Sequence, residues 1–278
     1  MKRHRILNFY IDTTRSIFGK DKSGPVFEAY KKGEQERIAQ KYGPINFDQK
    51  FERWISVPKP PLSVVDEHSH LLQDIEDSYV SGSLYSALTG ACCLGERVFN
   101  QIILRVKDSY KSSPEYKEVY RKESINDWNL GINTLLAWKI IGPVTERKYR
   151  QLAVLRNNSV HFQNKDQDLG PMAKDAIFLI SEIISDLFGI NKENKFVIWF
   201  EVPGELYLKK VSESDPFARA FYVPCAPLVG YKHTIANSPD FVLRVVDNEI
   251  YPNQEVTDEE FVKLRNEYTK KMSEGTNT

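Results

Sequence analysis

Between positions 83 and 110 the apolar residues Leu84, Leu88, Ala91, Val98, Ile102 and Val106 recur at intervals of three, four or seven. That spacing draws one continuous stripe along a long helix and has no counterpart in the two-residue period of a strand. A helix of this length with one apolar side must be covered by other helices or a sheet. Ser83 stands where an N-cap is expected, and Gly90 and Gly95 are the two places where the helix could break.

The following stretch supplies the cover. A second helix is expected over 124–140, with Trp128, Ile132, Leu135 and Leu136 on its apolar side and Gly142-Pro143 closing it. A third spans about 145–161 (Leu152, Leu155, Val160). A fourth follows Gly170-Pro171 and carries the stripe Ala176, Ile177, Ile180, Ile183, Ile184 and Leu187 up to Gly189. Four helices joined by short breaks make a bundle.

Outside this bundle the texture changes. Residues 1–65 mix an extended-looking segment over 6–18 and a polar helical segment over 25–42, then run into Pro58, Pro60 and Pro61, which mark a linker. After 190, β-branched and aromatic runs at 196–202, 206–211, 220–223 and 241–246 read as strands, with Pro203-Gly204 as a turn between the first two. A last helix over 257–272 opens on Thr257-x-x-Glu260, a capping box. The expected class is α+β: an N-terminal arm over 1–65, a helical bundle over 66–189 and a β-rich region with a terminal helix over 190–278.

Composition narrows the function. Lys plus Arg, at 38, balance Asp plus Glu, also 38, so a histone-like long-range field is absent and any nucleic-acid contact must be local. The apolar runs are far shorter than the roughly 18 residues that span a bilayer, so no membrane association is expected. The opening Met1-Lys2-Arg3-His4-Arg5 lacks an apolar run behind it, and the three cysteines, Cys92, Cys93 and Cys225, have no metal-ligand spacing. These features point to a reducing cytoplasm.

The stretch Leu155-Arg156-Asn157-Asn158-Ser159-Val160-His161-Phe162 carries the most chemistry. On a continuing helix Asn157 and His161 share a face, and Arg156 lies about 140° round from His161. A guanidinium presents a fixed fork of donors to phosphate oxygens, while an imidazole takes and returns a proton near neutrality. Together they could serve a phosphodiester without a metal.

These residues resemble the signature of the HEPN superfamily, helical bundles marked by an Arg, a following polar residue such as Asn, and a His after four to six intervening residues. Arg156, Asn157 and His161 match, with four residues between Arg156 and His161, and the likeness covers about 66–189. The resemblance implies a HEPN-like four-helix bundle and a metal-independent endoribonuclease without a cofactor, often dimeric, with two Arg/His pairs in one groove. It further implies a role as a toxin or phage-defence effector, with an antitoxin or regulatory partner. In that reading the ribose 2′-OH attacks the adjacent phosphate, His161 acts as base or acid, Arg156 stabilises the developing charge and Asn157 orients one of them. The alternative is a non-catalytic scaffold of the same fold that binds nucleotides or proteins.

Supporting positions are few. Glu96, beside Arg97 and Asn100 on the long helix, could orient Arg156 or could face solvent. Arg147, Lys148 and Arg150, with Arg156 and Lys165, face Glu146 alone between 146 and 165, a local excess of positive charge suited to an RNA backbone. Asp66-Glu67-His68-Ser69-His70 holds metal-compatible groups, but acidity at a helix start explains it. Cys92 and Cys93 read as core.

Overall fold

A computed structural model describes residues 1–6, 24–58, 61, 63–160, 168–189, 196–199, 205–237 and 243–275. The chain divides into two compact units, Phe9–Gly189 and Met1–Asn8 with Ile190–Thr278. Residues 1–65, read from the sequence as one arm, are therefore shared between the units. The architecture is α+β: a helix-rich core and a smaller antiparallel β region.

The first unit contains α1 (Pro25–Tyr42), α2 (Phe47–Ser56), α3 (Asp66–Ser81), α4 (Leu84–Val106), a short α5 (Tyr116–Val119), α6 (Trp128–Ala137), α7 (Pro143–Val160) and α8 (Leu169–Phe188). The long helix α4 lies at its centre, in contact with α3, α6, α7 and α8. Leu88, Ala91, Val98 and Ile102 on α4 are sealed from solvent, as are Ala176, Ile177, Ile180 and Ile183 on α8. The expected stripes are therefore the buried faces. The expected 25–42 helix is α1, but α2 was not anticipated; it packs Trp54 against Ile38 and Val80 beside Phe47 and Phe51.

Neither glycine breaks α4; Gly95 instead sets how closely its neighbours approach. A Cβ there would stand 2.6 Å from Leu152 Cδ2 on α7 and 3.3 Å from Trp128 Cη2 on α6. Ser83 occupies the N-cap position of α4 without a side-chain capping bond.

The second helix of the bundle begins later than the sequence suggests, at Trp128, because the Asp127 carboxylate caps the Asn129 and Leu130 amides. It stops at Ala137, and Lys139 follows in a left-handed conformation (φ 57°). The fourth helix begins before Gly170-Pro171, at Leu169, with Asp168 accepting from the Gly170 amide at 3.0 Å.

The second unit holds β1 (Lys2–His4), β2 (Val197–Trp199), β3 (Leu206–Leu208), α9 (Pro216–Phe221), β4 (Leu228–Gly230), β5 (Thr234–Asn237), β6 (Leu243–Val246) and α10 (Asp258–Gly275). Its strands pair antiparallel as β1–β4, β2–β3 and β5–β6. The chain start is thus hydrogen-bonded to a strand more than two hundred residues away. The expected extended segment over 6–18 lies, after Ile6, outside the described residues, as does Pro203-Gly204.

The strand expected over 220–223 is corrected. Asp215 caps the Phe217 and Ala218 amides, Pro216 fits the first turn, and Phe217, Ala218 and Phe221 are buried on one helical side. Local capping outweighs the β-propensity of the aromatic residues, and Val223 falls in a short 3₁₀ turn. At α10 the capping box forms as expected: the Thr257 amide donates to Glu260 Oε2 at 2.8 Å and the Glu260 amide to Thr257 Oγ1 at 3.2 Å.

A buried polar network ties this unit together. Arg265 of α10 grips both oxygens of Glu205 (3.0 and 2.6 Å) and donates to the Tyr231 and His233 carbonyls. Tyr207 donates to Glu205 at 2.9 Å and lies 3.1 Å from His233 Nε2, which also contacts Arg5. Around it Tyr207, Val229 and Phe261 form an apolar cluster.

Candidate functional site

Several polar residues of α4 share one side of the helix. Thr89, Cys92, Cys93, Glu96 and Asn100 follow at helical spacing, and with Arg97 they face Arg156 and Ser159 of α7 and Ser124 of the α5–α6 connection across a cavity of about 460 Å³. Two of the sequence-derived candidates, Arg156 and Glu96, thus line the same space.

Glu96 is half-buried, and its carboxylate is held by one defined donor. The Trp128 indole N–H donates to Oε2 at 2.9 Å. Trp128 is itself fixed edge-on against Phe99, with ring centroids 5.3 Å apart. Asn100, one turn further, is committed to structure: it donates to the Glu96 and Ile125 carbonyls and accepts from the Ile125 amide. Arg97 pairs with Glu67 across to α3.

Arg156 is half-buried and donates to Asn157 Oδ1 at 3.3 Å. Among the described residues no carboxylate pairs with it, Glu96 included, so the orienting contact envisaged between Glu96 and Arg156 is not made there. Its charge reaches α4 nonetheless: burial pushes the Cys92 thiol up to about 12, and the nearby Arg156 guanidinium opposes that rise. Asn157 is exposed, and Ser159 bonds back to the Arg156 carbonyl at 2.8 Å. His161 lies outside the described residues, one position beyond Val160, where α7 is last described.

The expected RNA-backbone residues sit elsewhere on α7. Lys148 bridges Asp186 (2.9 Å) and Glu182 (3.4 Å) on α8, and Arg150 bonds Glu146 (2.8 Å) and Asn133 (2.9 Å). Arg147 is exposed, about 13 Å along the axis from Arg156 and on the opposite side by helical geometry. None of the three lines the cavity.

Other sequence candidates resolve simply. His68 is fully buried against Phe188 and bonds Gln101 at 3.0 Å, whereas His70 is exposed beside Asp66. Among the described residues no three His, Cys, Asp or Glu side chains cluster to hold a metal. Both cysteines border the cavity, Cys92 buried as expected of core and Cys93 exposed. The contributions of Cys93, Ser124 and Ser159 were missed. The polar spacing on α4 carried a signal for the first, while Ser124 is brought in only by the chain path. Among the described residues no helix is long and apolar enough to cross a membrane.

Comparison with family models, with curated proteins and with solved structures finds no match.

Proposed function

We propose that the helical unit is a HEPN-like, metal-independent endoribonuclease in which Arg156 and His161 act on an RNA phosphodiester. One observation carries the reading: Arg156 lines a cavity with no carboxylate partner among the described residues, whereas Arg97, Lys148 and Arg150 are each paired. A half-buried cation without a counter-ion is a site for an anion.

In this reading the ribose 2′ oxygen bonds to phosphorus as the bond to the 5′ oxygen breaks. His161 takes the 2′-OH proton and a proton is returned to the leaving oxygen; Arg156 neutralises charge on the pentavalent phosphorane. DNA, without the 2′-OH, is not a substrate. A homodimer in which each α7 contributes Arg156 and His161 to a shared groove, a cytoplasmic location and a toxin or defence role with an antitoxin partner belong to the same proposal.

A second reading, a non-catalytic scaffold, is favoured by an apolar groove of about 490 Å³ between α7 and α8, where Val154 and Phe178 are 58% and 38% exposed. The test separates them. The enzyme cuts RNA in the presence of a chelator and leaves 2′,3′-cyclic phosphate ends, and Arg156→Ala and His161→Ala each slow cutting by at least about 10²-fold while the chain stays folded. Intact RNA, or full activity in both variants, overturns the proposal.

A further inference from the structure

The cavity holds two opposite charges that do not meet. Arg156 and Glu96 both line it, yet they form no ion pair, and the Glu96 carboxylate is turned by Trp128 through Oε2 alone. Its other oxygen, Oε1, has no partner among the described residues. Trp128 is nearly sealed and wedged between Phe99 and Tyr149, so the carboxylate is fixed in place before any ligand arrives. A carboxylate held by Trp128 and a guanidinium without a carboxylate partner among the described residues, at separate points of one 460 Å³ space, ask for a ligand with a negative group at one end and N–H donors at the other.

A nucleotide has that polarity, and the bases differ in how they meet a carboxylate. Guanine presents two adjacent donors, N1–H and the N2 amine, on its Watson–Crick edge. Adenine and cytosine place a ring-nitrogen lone pair next to their amine, which a carboxylate repels, and uracil flanks its one N–H with two carbonyls. We propose that this cavity takes a guanine nucleotide, its phosphate toward Arg156 and its Watson–Crick edge toward Glu96. Glu96 is then the specificity-determining residue of the site, and the RNA cleaved is cut beside guanosine. The cleavage arm of this inference rests on the endoribonuclease reading; the binding arm stands without it.

The test uses the full chain and guanosine, adenosine, cytidine and uridine 5′-monophosphates in equilibrium binding. Guanosine monophosphate is expected to bind at least about fivefold tighter than the other three, the low end for a bidentate base contact. Inosine monophosphate, which lacks the N2 amine, loses most of that advantage on the unaltered protein. Glu96→Gln keeps an oxygen for Trp128 and levels the affinities, while Arg156→Ala weakens all four alike. Equal affinities in the wild type, or a guanine preference that survives both the inosine swap and Glu96→Gln, overturn the proposal.

Mapping cut sites in a mixed-sequence RNA separates the two claims. Cutting without base preference sinks guanine selection and leaves the endoribonuclease standing. Guanine-selective binding without cutting does the reverse.

Discussion

The indole N–H of Trp128 and the carboxylate of Glu96, 32 residues apart in sequence, meet at 2.9 Å on the wall of the cavity that Arg156 also lines. A hydrogen bond to a charged acceptor contributes about 1.5–3 kcal/mol. Trp128→Phe should therefore lower unfolding free energy by about that amount beyond the loss of ring area, whereas Glu96→Gln should cost less because the bond survives in neutral form. Denaturant titration of both variants checks this; equal losses would mean that the bond contributes little.

Arg156 makes no ion pair among the described residues, so its removal should leave stability within about 1 kcal/mol. On the endoribonuclease reading, cleavage should fall about 10²–10³-fold in Arg156→Ala, the usual cost of losing one donor that stabilises transition-state charge. Arg156→Lys should recover little, because an ammonium cannot reproduce the planar fork. A lysine variant with wild-type rate would show that charge alone suffices.

Gly95 lets α4, α6 and α7 close on one another. With a methyl group 2.6 Å from Leu152 Cδ2, Gly95→Ala should destabilise the helical unit by about 1–3 kcal/mol despite the better helix propensity of alanine. Thermal unfolding tests this, and a stabilised variant would show that Leu152 yields freely.

The buried network of the other unit makes a pH prediction. His233 is fully buried, its ring against the Arg5 guanidinium, the Tyr207 hydroxyl and the Gly230 carbonyl and its own carbonyl bonded by Arg265; desolvation first, then the Arg265 charge, lowers its pKa from 6.5 to about 4. Unfolded, the imidazole takes a proton that it refuses when folded, so stability falls as pH drops from 6.5 to about 4. The loss across that window should approach about 3 kcal/mol. Arg265 and Arg5 outweigh burial at Glu205 and hold its carboxyl below the usual range, which adds a further loss as pH falls below 4.5. Hydrogen exchange of β3 and α10 should show this decline after correction for intrinsic rates; flat protection from pH 7 to 4.5 would contradict it.

If Arg147, exposed and unengaged among the described residues, contacts an RNA backbone, Arg147→Ala should reduce the salt dependence of RNA binding by about one unit of slope. Lys148→Ala, which also breaks the bridge to α8, should lower stability as well. Identical slopes in wild type and Arg147→Ala would remove that residue from the RNA path.

The stripes on α4 and α8 were legible because a helix buries whichever side is apolar, and three- and four-residue intervals state that side directly. The α10 capping box was equally legible, since Thr257 and Glu260 act on amides within one turn. The sequence also singled out Arg156 and Glu96 by residue type. It misjudged 220–223, where the cap from Asp215 lies upstream of the aromatic run.

Only the tertiary structure decided that Glu96 answers to Trp128 instead of Arg156, that Lys148 and Arg150 are drawn into pairs away from the cavity, and that Arg5, Glu205, His233 and Arg265 form one buried network. The reason is range. Periodicity and capping are set within a few residues of chain, but the partner of a buried charge is whichever group the closed fold brings within about 3 Å, and neighbouring sequence carries no record of it.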